Sequence, residues 1–197
     1  MSDLRRRFER TFHSILAPSA LLLALGAGQP TRATSLMRMS VAQMSHAAQL
    51  IVRARCVGNS TGWDAGEIWT FTSFDIEETW RGSAPTQISV RLLGGRVGNI
   101  TSTVSGVPRF ASGEEVVLFL ESTQRGDFSI VSWEQGTFRI RRDARTGEEI
   151  AVEDTASFPV FDPATRRFEP AGIRDLPAAM LRSRVDAAVR DEIRRQP

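Results

Sequence analysis

From Ser40 onward, apolar and polar residues repeat with two distinct periods. Val41, Met44 and Ala48 recur at helical spacing behind Ser40, whose hydroxyl can accept a first-turn amide. A short helix is therefore predicted over Val41–Gln49. The period then drops to two. Leu50, Val52, Ala54 and Cys56 alternate with Ile51, Arg53, Arg55 and Val57, which predicts a strand with the first set facing the core. Gly58–Gly66 is rich in Gly, Asn, Ser and Thr and is expected to form a loop. Glu67–Trp80 predicts a long strand with Ile68, Thr70, Thr72, Phe74 and Ile76 on one face, and a strand this long tends to coil around a barrel. Gln87–Leu93 follows, with Ile88, Val90 and Leu92 aligned.

Gly94, Gly95, Gly98, Gly106 and Pro108 punctuate residues 94–109 and leave room for one short pairing segment near Ile100–Val104. Val116–Leu120 is apolar on both faces, so the strand Glu115–Glu121 should be central and covered on both sides. Phe128–Trp133 and Gly136–Arg141 predict two further strands, and Glu149–Val152 an edge strand. Residues 153–174 lose periodicity at Pro159, Pro163 and Pro170 and read as an irregular segment wrapping the surface. Asp175 is placed to cap a final amphipathic helix, Leu176–Arg195, with Leu181, Val185 and Ala188 in one stripe. Strands cluster in sequence instead of alternating with helices, which argues for a mainly β domain over 34–152 and against a parallel βαβ sheet.

The N-terminus follows a different pattern. Arg5, Arg6, Arg7 and Arg10 precede an apolar run, Ile15–Gly26, and Thr31-Arg32-Ala33 offers small residues to a signal peptidase. Residues 1–33 are expected to be an export signal, leaving a secreted or periplasmic chain that begins at Thr34. The run contains Pro18 and falls short of the roughly 20 residues needed to span a bilayer. Removing it changes the charge balance. All 25 basic residues are arginine, and losing Arg5, Arg6, Arg7, Arg10 and Arg32 with Asp3 and Glu9 leaves 20 against 21 acids. A nearly neutral chain lacks the basic footprint of a nucleic-acid binder. The mixed-sign polar face of the last helix (Arg182, Arg184, Asp186, Arg190, Asp191, Arg194) argues against a membrane surface.

Catalytic chemistry finds few candidates. The processed chain would keep one histidine, His46, and one cysteine, Cys56, too few for a closed zinc or copper site. One cysteine also forms no internal disulfide, and on the apolar strand face it reads as a small buried hydrophobe. Asp143, Glu148 and Glu149, interleaved with Arg145, lack the spacing of a calcium loop. Gly58-Asn59-Ser60-Thr61-Gly62 matches a nucleophile elbow only formally, because no helix follows and the histidine precedes the serine. Gly94–Gly98 resembles a phosphate loop in glycine content alone and reads better as a hairpin. Glu77-Glu78 and Glu114-Glu115 would point to opposite faces of extended chain. No catalytic, cofactor or metal residue is therefore assigned. Trp63 is expected to be exposed in a polar loop. Trp69 and Phe71 lie on the strand face opposite Phe74 and Ile76, either covered by the last helix or residues 94–109, or forming an apolar patch for a partner or a sugar ring. With Arg96 and Arg109 they make up the expected contact surface.

Leu50–Leu120 resembles the netrin-like, OB-fold domain of the tissue inhibitors of metalloproteinases. The resemblance rests on a short helix running into a strand (Ala47–Ala54) and on a long strand ending in Trp80-Arg81-Gly82. It also rests on Phe110 and Gly113-Glu114 leading into Val116–Leu120. It implies a five-stranded OB-like antiparallel barrel with a short N-terminal helix and a C-terminal amphipathic helix. Those inhibitors chelate zinc through an N-terminal cysteine and are braced by disulfides; Thr34-Ser35 and the lone Cys56 depart from both features. No inhibitory residue is carried over. The functional expectation is a non-catalytic domain acting on an extracytoplasmic protein partner. The alternative is a small carboxylate-dependent hydrolase acting on glycan, which would need two acids in one concave pocket, one of them desolvated.

Overall fold

Ser40 begins the fold as part of a full capping box. In the computed structural model, which describes residues 36–153 and 155–195, Ser40 Oγ accepts the Gln43 N–H and Gln43 Oε1 accepts the Ser40 N–H. Helix α1 (Val41–Ala47) follows and buries Val41, Met44 and Ser45. The export signal expected over residues 1–33 lies outside the described residues.

The chain is mainly β, with a short N-terminal and a longer C-terminal helix. Strands β1 (Leu50–Asp64), β2 (Glu67–Arg81), β3 (Gln87–Leu93), β4 (Gly95–Val97) and β5 (Ile100–Ser102) precede β6 (Glu115–Ser122) and β7 (Phe128–Ile130). A 3-10 turn (Trp133–Gly136) leads to β8 (Thr137–Arg142), β9 (Glu149–Val152), β10 (Thr155–Asp162), β11 (Arg167–Ala171), β12 (Leu176–Pro177) and helix α2 (Ala178–Arg195). No helix among the described residues is long and apolar enough to cross a membrane.

The pairings run in a circuit. β1 pairs with β2, β2 with β3, β3 with β7, β7 with β6, and β6 again with β1. Four junctions are antiparallel, whereas β3 and β7 meet parallel at Val90–Phe128. This corrects the expectation of a wholly antiparallel set. A ring of five strands cannot alternate direction throughout, so one junction must be parallel. β8, β9 and β12 extend the sheet beyond β6.

Two apolar clusters follow from the strand period of two. β6 sends Val116, Leu118 and Leu120 into one and Val117 and Phe119 into the other, as its uninterrupted apolar run predicts. β1 does the same, with Leu50, Val52, Ala54 and Cys56 in the first and Ile51 in the second. The first cluster draws on all five strands of the circuit and on Phe110. The second lies against α1 and α2 through Met44, Leu181 and Val185.

Four expectations need correction. Gly58–Asp64 is strand, not loop, because its polar side chains find cross-chain partners: Asn59 Oδ1 accepts Thr72 Oγ1–H and its Nδ2 donates to Phe110 O. A register shift at Cys56/Gly58 lets the strand continue. Strand β7 stops at Ile130, since Ser132 and Trp133 take φ +51° and +55° into the 3-10 turn. Residues 155–171 form a hairpin in which Pro159 faces Pro170, a pairing tolerable in a two-stranded ribbon whose one further backbone bridge, from the Leu36–Arg38 arm, falls at Phe161 and away from both prolines. Asp175 has φ +57° and does not cap α2; Leu176–Pro177 first pairs with β9, and the helix starts at Ala178.

Candidate functional site

The far end of the β1–β2 hairpin gathers aromatic, arginine and carboxylate side chains around two grooves. Ala65 and Gly66, both with positive φ, turn the chain there. Trp69 and Phe71 point outward from β2. The inward set Ile88, Val90 and Leu92 on β3 forces Arg91 outward, and register sets it opposite Phe71. The Arg91 guanidinium lies 4.1 Å from the Trp69 ring centroid and 5.7 Å from that of Phe71, and the residue is only 9% exposed. Its Nη2 donates to Asp64 Oδ2 at 2.5 Å, and Arg125 Nη1 donates to the same oxygen. Hydrogen bonds from Arg125 and Arg91 hold the Asp64 carboxyl below the usual carboxylate range. Arg91 Nε is buried without a hydrogen-bond acceptor among the described residues; Asp127 Oδ2 stands 3.7 Å away. Asp64, Glu67, Trp69, Arg91, Gln124, Arg125 and Ser129 line a groove of about 390 Å³ here.

A second groove, of about 230 Å³, shares Glu67 with the first and is mostly apolar, lined by Trp63, Ile68, Leu93, Ile100 and Val104 with Ser102 beside them. Trp63 is 54% and Ile100 55% exposed. The hairpin end thus offers an aromatic–arginine groove beside an apolar one.

Trp63 and Trp69, two of the residues expected in a contact surface, line these grooves. Trp63 is exposed, though on β1 instead of in a loop. The cover over Trp69 and Phe71 is the Arg91 guanidinium, not one of the two segments expected. Arg96 and Arg109 do not line these grooves. Arg96 Nε donates to Gly98 O within its own hairpin, and Arg109 Nη2 donates to Leu93 O. Arg91, Asp64 and Arg125 carry no motif that sets them apart in the sequence. Arg91 was detectable as the one charge within the apolar run of β3, once paired in register with Phe71.

A separate cavity of about 360 Å³ lies among Arg38, Gln43, Gln135, Glu153, Asp162 and Ile173. Glu153, just past β9, is 4% exposed. Its N–H donates to Ile173 O at 2.8 Å, and its Oε2 accepts the Ile173 N–H at 3.1 Å. Burial pushes the carboxyl up to about 7, with the Ile173 amide and Arg38 opposing and Glu134 adding to the rise. Asp162 moves the other way. Amides of Ala164 and Thr165 and the Arg38 guanidinium, at 3.1 Å, hold it low. Gln135 is fully buried; it accepts Met39 N–H and donates to Met37 O and Ser132 Oγ.

The remaining sequence candidates fall apart in space. Ser60 lies within β1, with no turn to raise it. His46 Nδ1 sits 3.2 Å from Glu192 Oε2. Cys56 is buried, and burial pushes its thiol up. Gly94–Gly98 contributes to the β4–β5 hairpin, as its glycines suggest. Asp143 accepts the amides of Arg145 and Thr146 and so closes a turn. Among the described residues no cluster of His, Cys, Asp and Glu is arranged to hold a metal ion. No protein-family profile matches the chain, and no curated protein matches it.

Proposed function

We propose that the protein is a secreted or periplasmic binding domain, with a five-stranded OB-like barrel related to the netrin-like domains, that engages an extracytoplasmic protein through the end of its β1–β2 hairpin. The barrel reading is supported by the circuit β1-β2-β3-β7-β6-β1 with its single parallel junction. In OB-folds the face of strands 2 and 3, with the loops at its ends, commonly meets the ligand. The equivalent face here is the β2–β3 surface of Trp69, Phe71 and Arg91, flanked by the Ala65-Gly66 turn and the β6–β7 loop at Gln124 and Arg125.

The observation that carries the reading is the pairing of exposed Trp63 and Ile100 with the Trp69–Arg91 stack in adjoining grooves. Tryptophan and arginine dominate the energetics of protein interfaces, and an apolar centre beside a polar groove is the usual anatomy. The hydrolase alternative has less support. Glu153 and Asp162 do share a cavity and are shifted in opposite directions. Yet Asp162 spends one oxygen on two backbone amides and the other on Arg38, leaving no oxygen poised to attack or to activate water.

The test is photo-crosslinking in the host that makes the protein. A photoreactive residue at position 63 should trap one stoichiometric partner. Trp69→Ala with Arg125→Ala should lower its affinity at least tenfold, with a melting curve close to wild type. Absence of any such partner, or a partner indifferent to these changes, rejects the proposal.

A further inference from the structure

The Glu153 cavity lies on other elements than the hairpin end and calls for its own explanation. Its walls are unusually well supplied internally. Both N–H groups of the Gln135 amide are used, by Met37 O and Ser132 Oγ. The capping box at α1 closes the Ser40 and Gln43 amides, and Arg38 Nη1 donates to Asp162. The deficit is on the other side: Glu153, 96% buried by its 4% exposure, accepts a single hydrogen bond among the described residues, from Ile173 N–H to Oε2. Among the described residues no cation forms an ion pair with it. Among the described residues the charged groups facing it are Arg38 on the N-terminal arm, which pairs with Asp162, and Glu134 on the 3-10 turn, which pairs with Arg139; Asp162 on β10 lines the same cavity.

We propose that this cavity is a binding site for a small ligand carrying a primary ammonium group, with Glu153 as its counter-ion. The ammonium supplies the missing positive charge and hydrogen-bond donors, and a volume of about 360 Å³ suits a small molecule. An anionic ligand would instead face two carboxyls and an arginine already engaged. Binding demands the carboxylate. Protonation of Glu153 therefore competes with the ligand, and binding expels one proton wherever the empty site holds one.

The test uses the full protein and n-butylammonium, with n-butanol and n-butyrate as controls, by titration calorimetry and saturation-transfer NMR. Saturable binding of the amine alone is expected at pH 8. Its affinity should fall about tenfold for each pH unit below 6, with about one proton released per ligand there and none at pH 8.5. Glu153→Gln keeps an acceptor for Ile173 N–H, so it should fold and lose at least tenfold in affinity. No saturable binding, binding independent of pH without proton release, or equal binding by Glu153→Gln overturns the proposal. The proton count on the wild type decides the matter even if the variant fails to fold.

Discussion

Glu153 is the residue whose chemistry departs furthest from that of its free side chain. In the unfolded chain its carboxyl titrates near 4.5; in the fold, burial moves it to about 7. Between those values the native state binds more protons than the unfolded state, so this group's contribution to stability falls as pH rises from about 4.5 through 7. The full span corresponds to about 3 kcal/mol. Carboxyls held low, such as Asp64, Asp162 and Glu192, act in the opposite direction, but equally in wild type and variant. Glu153→Gln removes the titration and keeps the acceptor. Urea denaturation should show the variant gaining about 3 kcal/mol relative to wild type between pH 4 and pH 8. A constant difference across that range would mean that the carboxyl does not bear this penalty. Nothing in the sequence marks Glu153. Its burial comes from the β10–β11 hairpin and the arm at Arg38 meeting around it, and a segment that reads as aperiodic gives no warning of either.

Among the elements, those whose residues declare their own environment were the readable ones. The alternation in Leu50–Cys56 and the double-sided apolar run Val116–Leu120 predicted burial correctly, because strand side chains alternate whatever the partner. Gly58–Asp64 is strand despite its loop-like sequence because polar and glycine-rich composition describes exposure, not backbone pairing; the strand persists through hydrogen bonds made by Asn59 and Thr61 to distant chain. The end of β7 is set by contact, not by pattern. A Cβ on Gly136 would lie 2.2 Å from Val131 O, a backbone atom. Gly136→Ala must therefore shift the 3-10 turn that carries Glu134 and Gln135 between β7 and β8. It should lower stability by about 2–4 kcal/mol, in the range of overpacking and lost buried hydrogen bonds. Thermal melting with hydrogen exchange would check this, with protection expected to fall first at residues 131–138. A melting curve matching wild type would show that the turn yields without cost. The candidate site was legible in its aromatic half, Trp63, Trp69 and Phe71, which show in the sequence as large rings off the core face. Its ionic half depends on register across three strands and a loop.

At the scale of the whole molecule, one strand serves two surfaces. β2 meets α2 near Trp80, where Arg182 lies 5.0 Å over the indole and Arg81 makes a two-pronged pair with Glu192 at 2.6 and 3.0 Å. The proposed contact surface gathers at Trp69 on the same strand, about 35 Å away along its length at a strand's rise per residue. α2 closes the second apolar cluster with Leu181, which has no exposed surface. Leu181→Ala should therefore cost about 2–5 kcal/mol of stability, as buried leucine truncations do. It should leave partner affinity within about twofold, because α2 meets β2 at the Glu78–Arg81 end of the strand and not at the turn that carries the grooves. Trp63, half exposed, should behave in reverse: Trp63→Ala changes stability by about 0.5 kcal/mol or less and weakens partner binding about tenfold or more. Sites this far apart and sharing no partner should combine additively to within about 0.5 kcal/mol. The double variant would then show the sum of both losses, in denaturation and in binding of the crosslinked partner. A coupling well beyond that would mean that α2 and the hairpin end communicate through β2, and that the partner reads the state of the helix as well as the surface it touches.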